Sequence, residues 1–207
     1  MITPEFIAIW VAWMLAGGAP GPATLGIAGT AMTSGRASAL PFTFGILAGS
    51  ATWGIAAALG LSAIMLANVW LFEVIRYAGA AYLGWLAIKA LRRAIKNKGG
   101  QSGTPFSGSA RTLFAKGAAI HLTNPKAILS WGSIYAIVAP PNATLGMMMG
   151  YFGLLYAGSI LIFVGYAFLF SSDRMVRTYA RASRWFDVVF AGFFGFASFK
   201  ILTARLQ

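Results

Sequence analysis

Lys126 is an ammonium set in the middle of an apolar stretch, an expensive placement that by default marks a functional position. It closes the run Thr123-Asn124-Pro125-Lys126, which interrupts apolar sequence from Phe114 to Val138. Asn124 offers both hydrogen-bond donors and acceptors. His121, one turn earlier, titrates near neutral pH unaided and is a candidate proton carrier. A second interruption lies far upstream at Gly17-Gly18-Ala19-Pro20-Gly21-Pro22-Ala23-Thr24, inside a segment otherwise apolar from Phe6 to Met32. Pro20 and Pro22 lack backbone donors and clash with carbonyls one turn back, and Gly17, Gly18 and Gly21 make a regular helix costly and supply a hinge. A helix restarting after Pro22 would turn the N–H groups of Ala23 and Thr24, and its positive dipole end, toward the break, which suits a carboxylate. Carbonyls near Gly17 to Ala19 suit an ammonium. Together these residues have the equipment to bind a zwitterion. The competing structural roles are a Lys126 that ties the two breaks together through freed carbonyls, and a His121 bonded to a backbone carbonyl.

Other chemistry is poorly supplied. The four acids, Glu5, Glu73, Asp173 and Asp187, all sit near the ends of apolar stretches, and Glu73 has Arg76 three residues on for a helical ion pair. With no carboxylate at mid-depth, a metal-cation pump and a two-acid hydrolase both lose their essential groups. There is no GxSxG elbow and no acid near His121, so no catalytic residues, cofactor or metal are expected. The chain has no cysteine, which excludes disulfides and thiolate sites.

The elements that must position these residues follow from composition. Of 207 residues, 58% are hydrophobic and only 10% charged, with a mean hydropathy of +0.73; soluble domains carry about 25% charged residues. The chain reads as an integral membrane protein, and at about 20 residues per span it has room for roughly six. Six apolar stretches can be drawn, at about 5–30, 38–67, 70–91, 111–139, 143–170 and 185–204. The stretch from Arg92 to Arg111, with Gly99-Gly100-Gln101-Ser102-Gly103-Thr104-Pro105 inside it, reads as a flexible hydrophilic linker. The expected organisation is therefore 1–92 as a first three-helix repeat, 93–110 as a cytoplasmic linker and 111–207 as a second.

The net charge of +12 does not point to nucleic acid, because the cations cluster between apolar segments. Arg36, the Arg92–Lys116 group and Arg174, Arg177, Arg181 and Arg184 occupy alternate connections, which the positive-inside rule places in the cytoplasm with both termini outside. The N-terminus lacks the cations of a signal peptide, so the first segment is expected to be a retained span. Two halves of three spans each enter the membrane in opposite senses, giving an inverted 3+3 repeat. At ~1.5 Å per residue both breaks lie about 21 to 22 Å from their flanking boundary residues, so spans one and four are expected to be broken at mid-membrane. Gly84 to Lys89 is echoed by Gly195 to Lys200. Gly45-x-x-x-Gly49 and Gly146-x-x-x-Gly150 allow close helix packing, and Trp70, Tyr82 and Trp185 fall where amphipathic rings settle.

These residues resemble the LysE/RhtB family of amino-acid exporters over almost the whole chain. The likeness rests on Pro20-Gly21-Pro22, on Gly35-Arg36 followed by Gly45 and Gly49, on Ala78-Gly79-Ala80-Ala81-Tyr82-Leu83-Gly84-Trp85 ahead of Lys89, and on Asn124-Pro125-Lys126 after Lys116-Gly117. The resemblance implies a multi-pass exporter of the bacterial inner membrane, coupled to protons, with no enzymatic activity. Its members commonly carry Asn or Asp after Pro-Gly-Pro, where this chain has Ala23, with the Thr24 hydroxyl as a substitute. The sequence reading is an all-α secondary transporter of small neutral amino acids, with Pro20, Gly21, Pro22, Ala23, Thr24, Asn124, Pro125 and Lys126 as the substrate site. Glycine-rich faces permit a homodimer. The alternatives are an uncoupled channel or ion pathway, and a membrane-embedded subunit without transport.

Overall fold

A computed structural model describes residues 4–67, 69–96, 105–140 and 143–203. Among these all the regular secondary structure is helical, in the order α1 (Pro4–Gly18), α2 (Pro22–Ala67), α3 (Val69–Lys96), α4 (Ala110–Leu122), α5 (Pro125–Val138), α6 (Leu145–Leu169) and α7 (Asp173–Thr203). Two of them are long and apolar enough to cross a membrane, α2 over Pro22–Gly60 and α6 over Leu145–Leu169. The Gly99–Thr104 part of the linker lies outside the described residues, as do the side chains of Glu5, Glu73, Arg76, Tyr82, Asp173 and Lys200.

Helix α2 is two arms folded on each other at Gly35, whose φ of 72° and ψ of 174° leave the helical region. A β-carbon on Gly26 would lie 2.8 Å from the Phe42 ring tip. In a straight helix those residues would be about 24 Å apart. Ile27, Ala28 and Ala31 of the first arm accordingly share a core with Ala39, Phe42 and Ile46 of the second. A β-carbon at Gly35 would meet nothing within 4 Å. We therefore expect Gly35→Ala to lower stability by backbone strain alone, by about 1 kcal/mol. A thermal-unfolding midpoint equal to the parent's would show that no left-handed residue is needed there.

The second arm of α2 crosses α4 at backbone contact. A β-carbon on Gly45 would overlap the Phe114 carbonyl, and one on Gly117 would overlap the Phe42 carbonyl. Gly49 is seated 2.9 Å, by the same measure, from His121 Cβ. The other glycine pair behaves differently, since Gly146 meets only the hydroxyl of its own N-cap, Thr144. On α6 the close approach is at Gly158 instead, 3.2 Å from both Met14 and Trp10 of α1.

Three apolar clusters form among the described residues, the smallest gathering Ala16, Ala19, Ala80 and Ala90. Of the two larger, one gathers Phe42, Ile46, Leu113 and Phe163, the other Trp13, Trp131, Tyr135, Met148 and Leu155. At the two described ends of the linker, α3 continues to Lys96, and Phe106 stacks on Phe42 at 4.9 Å while its N–H donates to Thr30 Oγ1. Gly26 leaves the space that ring fills.

Candidate functional site

Helix α1 ends at Gly18 and α2 starts at Pro22, so the last carbonyls of one and the first amides of the other are left over. The carbonyls find partners. Tyr166 Oη donates to Gly18 O at 2.6 Å and Lys126 Nζ donates to Ala19 O at 2.9 Å. Thr24 folds back into the break: its Oγ1 accepts from Gly21 N at 3.0 Å and reaches the Ala19 and Gly21 carbonyls, each at 3.2 Å. The hydroxyl expected to serve a ligand is thus engaged by its own turn. The carbonyls of Gly18 and Ala19 are likewise already taken, by a phenol and by the lysine.

The amides at the start of α2 are different. Among the described residues, neither Ala23 N nor Thr24 N donates to a protein carbonyl, and Pro22 at the first helical position has no N–H to satisfy. Lys126 Nζ stands over this end, 3.6 Å from the point a Gly21 β-carbon would occupy. A helix N-terminus and an ammonium therefore converge, an arrangement that favours an anion.

Helix α4 ends at Leu122 and α5 starts at Pro125. Asn124 caps α5, its Oδ1 accepting from Lys126 N at 3.1 Å and its backbone carbonyl accepting from Ala127 N at 2.9 Å. Capping fixes the direction in which Lys126 leaves the helix, and that direction carries its ammonium back to the first break.

Between the breaks lies a cavity with about 470 Å³ of empty space counted to its open edge. Of the residues singled out in the sequence, Gly17, Gly21, Ala23, Thr24, His121, Asn124 and Lys126 line it, whereas Gly18, Pro20, Pro22 and Pro125 do not. The prolines end the helices from outside the cavity, with Pro22 and Pro125 exposed. His121 is 5% exposed with its ring edge against Phe163, 5.8 Å between centroids, and its Nδ1 is buried with no hydrogen-bond partner among the described residues.

The sequence reading missed the aromatic wall. Trp13 and Trp131 meet at 4.5 Å between ring centroids; the Trp13 indole N–H is shared between the Leu155 carbonyl at 2.9 Å and Ser159 Oγ at 3.1 Å, and that of Trp131 donates to Ser50 Oγ at 3.1 Å. These serines lie more than 80 residues from their indoles. Local patterning holds no signal for such pairs; a tryptophan and a serine within apolar runs were the sole hint.

The description LysE type translocator matches residues 15–205 of the chain. The threonine efflux protein of Salmonella typhi is 32% identical over 180 residues, covering 84% of this chain and 87% of that protein. The threonine efflux protein of Escherichia coli (strain K12) is 31% identical over 194 residues, covering 91% and 94%. The leucine efflux protein of Klebsiella pneumoniae is 30% identical over 166 residues, covering 80% and 77%. No solved structure matches the chain significantly.

Proposed function

The chain belongs to the LysE type translocator family, whose members are transporters and not enzymes, and from that premise we propose that it exports small neutral amino acids across the bacterial inner membrane in exchange for protons. Two relatives of different specificity, named for threonine and leucine efflux, support the substrate class. One observation carries the reading: the open amides of Ala23 and Thr24 and the Lys126 ammonium meet in one cavity. The substrate carboxylate occupies that corner and draws Lys126 Nζ from the Ala19 carbonyl. Its ammonium lies toward Gly17 and the face of Trp13, where a cation–π contact replaces the carbonyls already taken. No carboxylate lines the cavity to hold a second positive charge, which favours neutral over cationic side chains. His121, with an unpartnered nitrogen beside the substrate, is the candidate proton carrier.

In this reading α1 and the first arm of α2 are one fractured span, α4 and α5 are another, and the six resulting spans form an inverted repeat. The pairing of helices supports it. Helix α1 packs on α6 and α4 on the second arm of α2, while α3 packs on α7, the pattern expected if a pseudo-two-fold axis exchanges the halves. At the α3–α7 crossing Gly84 faces Ser198 and Gly195 faces Ala87, so each glycine meets the residue three positions past the other. Reciprocity of that kind is the mark of a two-fold contact. Both termini then lie outside, and Arg36, the linker and the start of α7 are cytoplasmic. Gly17, Gly18 and Gly21 hinge the first break during alternating access.

Purified protein in liposomes preloaded with labelled threonine, leucine or lysine tests the proposal. Saturable efflux of the neutral amino acids that quickens when the outside is acidified is expected. Non-saturating flux indifferent to pH, or preference for lysine, would overturn it.

A further inference from the structure

The start of α7 carries a feature the transport reading leaves unused. Arg174, Arg177, Arg181 and Arg184 are all exposed. At 100° per residue they fall within an arc of about 80°, in a stripe about 15 Å long. Trp185, 71% exposed, continues the same stripe. No acidic residue occurs in the sequence between Asp173 and Asp187, and Asp187 is buried, so among the described side chains none within the stripe is acidic.

The neighbouring helix enlarges the patch. The facing pairs Gly84–Ser198 and Ala87–Gly195 make α3 and α7 antiparallel, which brings the C-terminal end of α3 beside the N-terminal part of α7. Arg92 and Lys96, both exposed, close α3 at that end. The register of those pairs sets Lys96 level with about residue 186, so the two cations of α3 adjoin the Trp185 end of the stripe.

We propose that this patch is a binding surface for the phosphate headgroups of anionic phospholipids in the cytoplasmic leaflet. The inference rests on the multi-pass reading above for its position in the membrane. Guanidinium groups bind phosphate oxygens by paired, charge-assisted hydrogen bonds. An exposed tryptophan beside them sits at the headgroup level, with its ring body toward the acyl chains. Helix spacing repeats the arginines about every turn along α7, so the stripe runs along the helix axis from its Trp185 end at the headgroup layer rather than enclosing one soluble anion. The apolar side chains exposed further along α3 and α7, such as Ile88 and Phe196, continue the surface toward the hydrocarbon.

The test uses the full chain in detergent micelles and a fluorescent phosphatidylglycerol, with phosphatidylcholine carrying the same label as the neutral comparison. Wild type is expected to bind phosphatidylglycerol about tenfold more tightly than phosphatidylcholine. The variant R174Q/R177Q/R181Q/R184Q should bind the two equally, and R177Q/R181Q should lie between. R111Q/K116Q, basic but away from the stripe, should keep the wild-type preference. Undiminished preference in both stripe variants overturns the proposal. So does displacement of the lipid by millimolar inorganic phosphate, which would indicate a soluble-anion site, or a change of oligomeric mass in the stripe variants without loss of lipid preference, which would indicate contact with a second copy. Amino-acid efflux by the same variants reports separately on the transport reading, so either can fail without the other.

Discussion

Replacing Lys126 with alanine is expected to reduce amino-acid efflux from liposomes about 100-fold, the equivalent of one charge-assisted hydrogen bond to a substrate carboxylate. The purely structural role of Lys126 predicts something else. Its bond to Ala19 O joins the two breaks, and removing one such charge-assisted hydrogen bond lowers stability by about 2 kcal/mol. If that tie were its whole contribution, the folded fraction of Lys126→Ala would transport at the wild-type rate per molecule. Efflux normalised to folded protein, read beside the unfolding midpoint, separates the two. Lys126→Arg should recover little, because a planar guanidinium cannot stand in the same place over Gly21 and the start of α2.

The second large effect is expected where helices meet backbone to backbone. Gly45→Ala and Gly117→Ala each introduce a methyl group that overlaps a main-chain carbonyl, of Phe114 and Phe42 respectively. A carbonyl within a helix cannot rotate aside as a side chain can, so α2 and α4 must separate. We expect either substitution to lower stability by about 3 kcal/mol, at the upper end of the range for overpacked sites. Separation also moves His121, whose Cβ is fitted against Gly49 on the same interface, and with it the end of α4 that leads into Asn124. Folded protein recovered from membranes should fall severalfold, and what remains should transport poorly. Gly146→Ala is the matched control, because a β-carbon there approaches only the Thr144 hydroxyl, at 3.9 Å. Equal loss in all three would contradict a role for the crossing, since helix propensity by itself favours alanine at each position.

What the sequence made legible divides along the range of the forces involved. Helical character followed from apolar runs, and the ends of α1 and α4 from proline and glycine, which act on their own backbone within one turn. The convergence of Gly17, Gly21, Ala23, Thr24, His121, Asn124 and Lys126 on one cavity is the placement that two helix ends and a spacing of one turn between His121 and Asn124 suggest. The fine assignments were not legible. Thr24 offered a hydroxyl to a ligand on paper, but three backbone groups of its own turn lie within 3.2 Å and engage it first. The Gly18 carbonyl is taken by Tyr166, a partner 148 residues away that no local pattern announces. Glycine spacing was equally ambiguous. Gly45 and Gly49 lie at a crossing, while Gly146, at the head of the same motif, does not, because the spacing marks a smooth face without saying what packs against it.

The absence of cysteine provides the most direct measurement of the central claim, that a small amino acid occupies the space between the two helix interruptions. Ser130 lines that space, is partly exposed and differs from cysteine by one atom. In Ser130→Cys protein, threonine at ten times its Kd should slow labelling by a methanethiosulfonate reagent about tenfold, as mass action requires for an occupied site. Labelling at the same rate with and without threonine, in protein that still exports it, would place the substrate elsewhere and contradict the account.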